Sequence, residues 1–167
     1  MNSPIAPDSI VDADRADLQR RVVQALGQVL PPDALLYTPE DTVPYECDGL
    51  TAYRERPLVV ALPETEAQVQ AVLRACHRLQ VPVVARGAGT GLSGGAMPHR
   101  LGVTLSMARF NQILRVDPVS RTAVVQCGVR NLAISEAAAP HGLYYAPDPS
   151  SQIACTIGGN VAENSGG

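Results

Sequence analysis

The chain has 167 residues, 46% hydrophobic and 17% charged, a one-domain length able to bury roughly two-thirds of the surface its unfolded form exposes. That balance excludes intrinsic disorder; no apolar run approaches the ~20 residues of a membrane helix, and the opening MNSPIAPDSI lacks the basic and apolar regions of a secretory signal. Net charge is −3, and it is unevenly spread: 12 acidic residues against 5 arginines over residues 1–66, but 4 against 8 over residues 67–167. A mildly positive second half suits an anionic small molecule. One Phe, no Trp and no basic run beyond Arg20-Arg21 disfavour nucleic acid. The expectation is a soluble, cytoplasmic protein with no membrane span. Its four cysteines (47, 76, 127, 155) form no CxxC and read as reduced thiols, and dispersed His77, His99 and His141 predict no metal site.

Taken in order, residues 1–12 read as a loose tail. Leu18, Val22, Val23, Leu26, Val29 and Leu30 recur at helical spacing from Asp14 to Leu30, where Pro31-Pro32 stops the helix. Residues 33–57 are irregular. Leu58–Ala61 is a buried strand; Thr65 and Gln68 make a capping box for a helix whose apolar face is Val69, Val72, Leu73, Cys76 and Leu79, with Arg74 and Arg78 outward. Val81–Ala85 is a second buried strand, and strand–helix–strand within about 28 residues implies a right-handed parallel crossover. Gly102–Leu105 offers a third strand. Ile113–Asp117 and Thr122–Gln126 flank Pro118–Arg121 as an antiparallel hairpin, and Asn131–Ala139 is a short helix stopped by Pro140. Tyr144–Cys155 is a proline-interrupted loop, and Thr156–Gly167 another glycine- and asparagine-rich stretch. The fold class is α+β, a small parallel piece preceding an antiparallel one.

The segment from Arg86 to Gly95 follows a buried strand, and Gly89, Gly91 and Gly94 satisfy GxGxxG. A dinucleotide fingerprint needs a helix to start there and an acidic residue about 20 positions later. Ala96–Gly102 cannot carry a long helix, position 109 is Arg, and no Lys serves a Walker loop. What remains is a phosphate cradle: glycines bring successive N–H groups to an anion, Thr90 and Ser93 add hydroxyls, and Arg86 either contacts phosphate or braces the loop against a nearby carboxylate.

Three segments in order, Pro82–Gly95, Ala146–Ser151 (APDPSS) and Thr156–Asn164 (TIGGNVAEN), resemble the FAD-binding domain of FAD-linked oxidases related to vanillyl-alcohol oxidase and para-cresol methylhydroxylase (the PCMH type). Within that superfamily the chain is similar to the glycolate oxidase D subunit and D-lactate dehydrogenase group. The resemblance runs from about Tyr45 to the last residue, dividing the chain into a tail and helix (1–44) and an FAD-binding PCMH-type domain (45–167) truncated at its C-terminus. It implies that Arg86, Gly87, Ala88, Gly89, Thr90, Gly91, Leu92, Ser93 and Gly94 wrap the pyrophosphate. Pro149, Ser150, Ser151, Thr156, Gly158 and Gly159 would line the flavin and ribityl region, with Asn160, Asn164 and Gly166 continuing along the cofactor. Thr90 stands where some relatives carry a histidine bound to flavin, which implies non-covalent FAD; His99 is expected on the surface. Tyr144 and Tyr145 fit either the flavin or the core. The whole enzyme would oxidise a small 2-hydroxy acid (glycolate or D-lactate type) with hydride transfer to flavin. Flavoprotein-like and iron–sulfur glycolate oxidase subunits would be its partners, giving a peripheral place at the inner membrane. The closing Gly166-Gly167 reads as the middle of a flavin-binding segment, so the chain is expected to be a fragment, inactive alone, with no catalytic residue named. An inactive remnant or binding module that keeps the loop is the other reading.

Overall fold

The computed structural model describes residues 7–167, with side chains from Asp14 onward. Of the expected tail, residues 1–6 lie outside the described part, and from Pro7 the backbone is already helical: α1 spans Pro7–Leu26. The helix also ends earlier than Pro31 requires. Gly27 and Leu30 close the last turns onto Val23 and Leu26 carbonyls, and a 3₁₀ turn at Pro32–Ala34 leads into the two-residue strand β1, Leu35–Leu36. The stretch expected to be irregular thus contains a strand, a short helix α2 (Pro39–Thr42, capped by Thr38) and a second 3₁₀ turn.

Next come β2 (Val59–Ala61), α3 (Glu66–Leu79), β3 (Val83–Arg86) and β4 (Val103–Ser106). The Thr65–Gln68 capping box is present in both directions. Helix α3 buries Val72, Ala75 and Cys76, and Arg74 and Arg78 face outward as expected; Leu73, expected on the apolar face, is exposed. The helix turns its 72/75/76/79 stripe inward, so the small Ala75 packs where the larger Leu73 had been placed.

The sheet order is β1-β2-β4-β3, with β1 antiparallel to β2 and both β2 and β3 parallel to β4. The β2–α3–β3 unit is therefore parallel, but its strands are not neighbours: β4 lies between them. All of β2 and β4 is buried, the signature of a parallel layer covered on both faces. Val22, Leu26 and Leu30 pack in one cluster with Leu58, Val59, Val72, Cys76, Val103 and Leu105, so the amino-terminal helix shares the core of the sheet. β3 is an edge strand, opposite β1, and is only partly covered until Arg86. Its connection to the parallel β4 holds no helix; the glycine loop itself makes the crossover.

β5 (Ile113–Asp117) and β6 (Thr122–Val125) form a separate antiparallel hairpin, with a register shift between Ile113 and Arg115. Asp117 Oδ1 accepts from the Val119 and Ser120 N–H groups, which fixes the turn and holds that carboxyl below the usual carboxylate range. α4 (Asn131–Ala138) follows, ending in a 3₁₀ turn through Pro140. The last element corrects the sequence reading: Thr156–Gly167 holds a helix, α5, at Ile157–Ala162. The α+β class stands, as one mixed, largely parallel sheet and one antiparallel hairpin.

Candidate functional site

Between the edge strand β3, the glycine loop and α5 lies a cavity of about 580 Å³, within the range of small-molecule sites. Three backbone pairings bring the distant walls together. Arg130 and Thr156 form an antiparallel bridge, and Asn131 N–H donates to Cys155 O and Ile157 N–H to Val129 O. Gly158 N–H then reaches Cys127 O at 2.8 Å, and a Cβ on Gly158 would stand 2.8 Å from that of Cys127, so only glycine admits this approach.

Arg86, Gly87, Ala88, Gly89, Thr90 and Gly91 line the cavity from one side, and Ser151, Thr156, Gly158, Gly159 and Asn160 from the other. Leu92, Ser93 and Gly94 stand outside it, Leu92 and Ser93 exposed at the loop tip. Pro149, Ser150, Asn164 and Gly166 also lie outside; the final residues fold back on the Pro147–Pro149 segment, where Gly167 approaches Asp148 and Pro149. His99 is on the surface as expected. Tyr144 is exposed, and Tyr145 is tied to Ser135 through its backbone; neither lines the cavity.

Arg86 braces the loop, and its partner is not a carboxylate. Its side chain is buried beneath Gly89, Nη1 donates to Cys47 O at 2.7 Å, and the guanidinium sits 5.5 Å from the centre of the Tyr45 ring. Gly89 has φ +71° and lies so close to that guanidinium that a side chain there would displace it. Asp48, also buried, accepts from Leu50 N–H at 2.9 Å and more distantly from Ala96 N–H at the far end of the loop. Among the described residues, the N–H groups from Gly87 to Gly95 donate no hydrogen bond within the protein. Those of Gly87–Gly91 and Gly95 belong to residues at the cavity wall and form a set of donors without protein partners, the arrangement that binds anions.

Two polar groups complete the lining. The Thr156 Oγ1 is buried with no partner and abuts Gly87. Asn131, fully buried, donates to Pro147 O at 2.8 Å and accepts from Asn160 Nδ2 at 3.0 Å, which fixes the Asn160 amide at the cavity floor. Sequence reasoning missed Cys127, Glu163 and Ser165 in the lining and Asp48 beneath it. Glu163 alone carried a signal, since it lies inside the TIGGNVAEN segment. Burial pushes the Cys127 thiol up, which disfavours its thiolate form.

The model of the FAD binding domain matches residues 57–167, spanning β2, the glycine loop and α5. The chain belongs to the FAD binding domain family. Among curated relatives it is 63% identical over 159 residues to the glycolate oxidase subunit GlcD of Escherichia coli, covering 95% of this chain and 31% of that protein. It is 39% identical over 145 residues to a D-2-hydroxyglutarate dehydrogenase of Xanthomonas citri, with 87% and 31% covered. Over 109 residues it is 40% identical to a D-lactate dehydrogenase of Archaeoglobus fulgidus, with 65% and 24% covered. The chain therefore spans about a third or less of these relatives' length. In fold it is similar to alkyldihydroxyacetonephosphate synthase (TM-score 0.78, 24% identity, 89% of this chain and 32% of that one). It is also similar to p-cresol methylhydroxylase (TM-score 0.67, 24% identity, 78% and 27%). The PCMH-type fold and FAD as the cofactor of this domain follow. The residues fit that group: a set of donors without protein partners suits a pyrophosphate, Thr156 Oγ1 lacks a partner, and the glycines leave room for close backbone approach. No helix among the described residues is long and apolar enough to cross a membrane.

Proposed function

We propose that this chain is the cofactor-cradling part of an oxidoreductase that oxidises a small 2-hydroxy acid of the glycolate or D-lactate type. The observation that carries the reading is the set of N–H groups without protein partners on Gly87–Gly91 and Gly95, residues that share one cavity with Thr156 and α5. In this reading residues 45–167 form the FAD-binding unit, buttressed by α1. The loop takes the pyrophosphate through backbone N–H groups, Thr90 adds a hydroxyl without a covalent link, and Arg86 holds the loop's shape from below. Thr156 Oγ1 and the Asn131-fixed Asn160 amide present hydrogen-bonding atoms along the cofactor. FAD supplies the two-electron acceptor; the chain's own residues bind it, orient it and exclude water around it. The substrate pocket and its catalytic residues belong to the rest of a longer enzyme, as do contacts with iron–sulfur and second flavoprotein-like subunits that would place it peripherally at the inner membrane.

The test is spectroscopic. The purified chain is expected to show oxidised-flavin bands, or an FAD-dependent rise in melting temperature, with flavin released on denaturation. Gly89→Val should abolish binding by displacing Arg86 and filling the loop. Unchanged affinity in that variant, or no flavin binding by the parent, sinks the loop assignment. Flavin that stays oxidised with glycolate or D-lactate in the full-length enzyme would favour the inactive-module reading.

A further inference from the structure

Five glycines fall between Arg86 and Gly95, and backbone conformation accounts for two of them. Gly89 and Gly94 have φ of +71° and +76°, where an L side chain is strained. Gly87 gives way to Thr156 Oγ1. Gly91 and Gly95 have no such φ, and what fills their side-chain space is a carboxylate. Glu163 Oε1 lies 3.1 Å from where a Gly91 Cβ would stand and 2.5 Å from that of Gly95. Its backbone is anchored at the end of α5 by an N–H bond to Gly159 O at 2.9 Å, and it lines the same cavity as Thr90 and Thr156. Among the described residues no arginine pairs with it, and the one cation of the cavity, Arg86, is turned away to Cys47 O and the Tyr45 ring. A negative group thus rests against the loop whose free N–H groups are suited to a negative ligand.

We propose, resting on the FAD reading above, that Glu163 is a charge gate on the glycine loop: its carboxylate competes with an incoming phosphate group, and a phosphate-bearing ligand binds by displacing it. The gate lowers the affinity of every phosphate-bearing ligand by the same factor, so only a ligand with further contacts binds well. A free phosphate or pyrophosphate has little further contact to offset the displacement, whereas a dinucleotide has its ring systems and sugar hydroxyls as well. A like charge within about 5 Å of a bound phosphate, partly screened by water, changes affinity by roughly tenfold.

The experiment titrates the chain and its Glu163→Gln variant with FAD, inorganic pyrophosphate and riboflavin at low ionic strength. Glu163→Gln is expected to bind FAD and pyrophosphate about tenfold more tightly, with riboflavin unchanged and the gain shrinking as salt rises to about 0.5 M. Glu163→Asp keeps the charge but withdraws it from Gly95, and should stay within about threefold of the parent. Glu163 is exposed, so both variants should melt as the parent does, which circular dichroism checks. Equal or weaker FAD binding by Glu163→Gln, an equal gain for riboflavin, or a full gain in Glu163→Asp overturns the gate while leaving the FAD reading intact. Failure of both parent and variant to bind either FAD or pyrophosphate overturns the two together.

Discussion

Gly49 gives a sharp test of how the glycine loop is held. It lies beside Asp48 on the segment beneath the loop, and a Cβ there would stand 2.7 Å from Gly91 O and 2.8 Å from Thr90 O. Both are backbone atoms, so no side-chain rotation relieves the approach; the Thr90–Gly91 and Gly91–Leu92 peptides must move by about 0.6–0.7 Å to reach ordinary contact at 3.4 Å. Gly49 has no positive φ, so Gly49→Ala carries no strain of its own and would otherwise stabilise by ~0.4–1 kcal/mol through the unfolded chain. Overpacking against a fixed backbone costs ~1–3 kcal/mol, and the net expectation is a loss of ~1–2 kcal/mol. That corresponds to a fall of roughly 2–8 °C in melting temperature for a chain of this size. Urea denaturation measures the loss, and FAD titration should show weaker binding because the moved Thr90–Gly91 peptide belongs to the donor set. Gly142→Ala is the contrast: φ is +67° with nothing within 4 Å, so it tests backbone strain alone and should leave FAD affinity untouched. A Gly49→Ala chain as stable as its parent, with equal FAD affinity, would refute the claim that this segment supports the loop.

Asn131→Ala should cost about 2–3 kcal/mol in urea denaturation, because it strands Pro147 O and the Asn160 amide inside the protein. Thr156→Val replaces an unpartnered buried oxygen with a methyl group; stability should hold or rise by up to ~1 kcal/mol while FAD affinity falls, and both are read by thermal melts with and without FAD. Cys76 is buried and its thiol is pushed up to about 11 from an unfolded value near 9. The folded chain therefore keeps a proton that the unfolded chain loses. Its contribution is whole below pH 9 and drains away as pH rises to 11, by up to ~3 kcal/mol. Urea midpoints at pH 8 and 10.5 should fall further in the parent than in Cys76→Ala.

The features written locally in the chain were legible. The capping box at Thr65–Gln68, the Ile113–Val125 hairpin and the glycine loop each depend on residues close in sequence, and each formed where expected. α5 was not legible because Gly158 and Gly159 each cost a helix ~1 kcal/mol relative to alanine. The close approach to Cys127 demands a glycine at 158, and tertiary contact overrides propensity. The sheet order was hidden for a similar reason: Val59–Ala61 and Val83–Ala85 look like neighbours joined by α3, and nothing local announces that Val103–Ser106 enters between them. In the site, eleven of the eighteen expected residues share one cavity; of those outside it, Leu92 and Ser93 are exposed at the loop tip and Gly166 lies against Pro147. Arg86 braces the loop through Cys47 O and the Tyr45 ring where a carboxylate is expected, and these partners lie some forty residues upstream, beyond the reach of any spacing rule.

The position of β4 bears on how the molecule is made. β2 and β3 are synthesised before β4 and have no hydrogen bonds to each other; β2 already has β1 beside it, but β3 waits for a strand that begins at Val103. The cofactor loop lies between β3 and that strand, so it is synthesised while its far anchor does not yet exist. Loop and sheet must then become ordered in one step, at the pace of non-local strand pairing and not of a local turn. A nascent chain shorter than about Ser106 would expose β3 with no partner on either side.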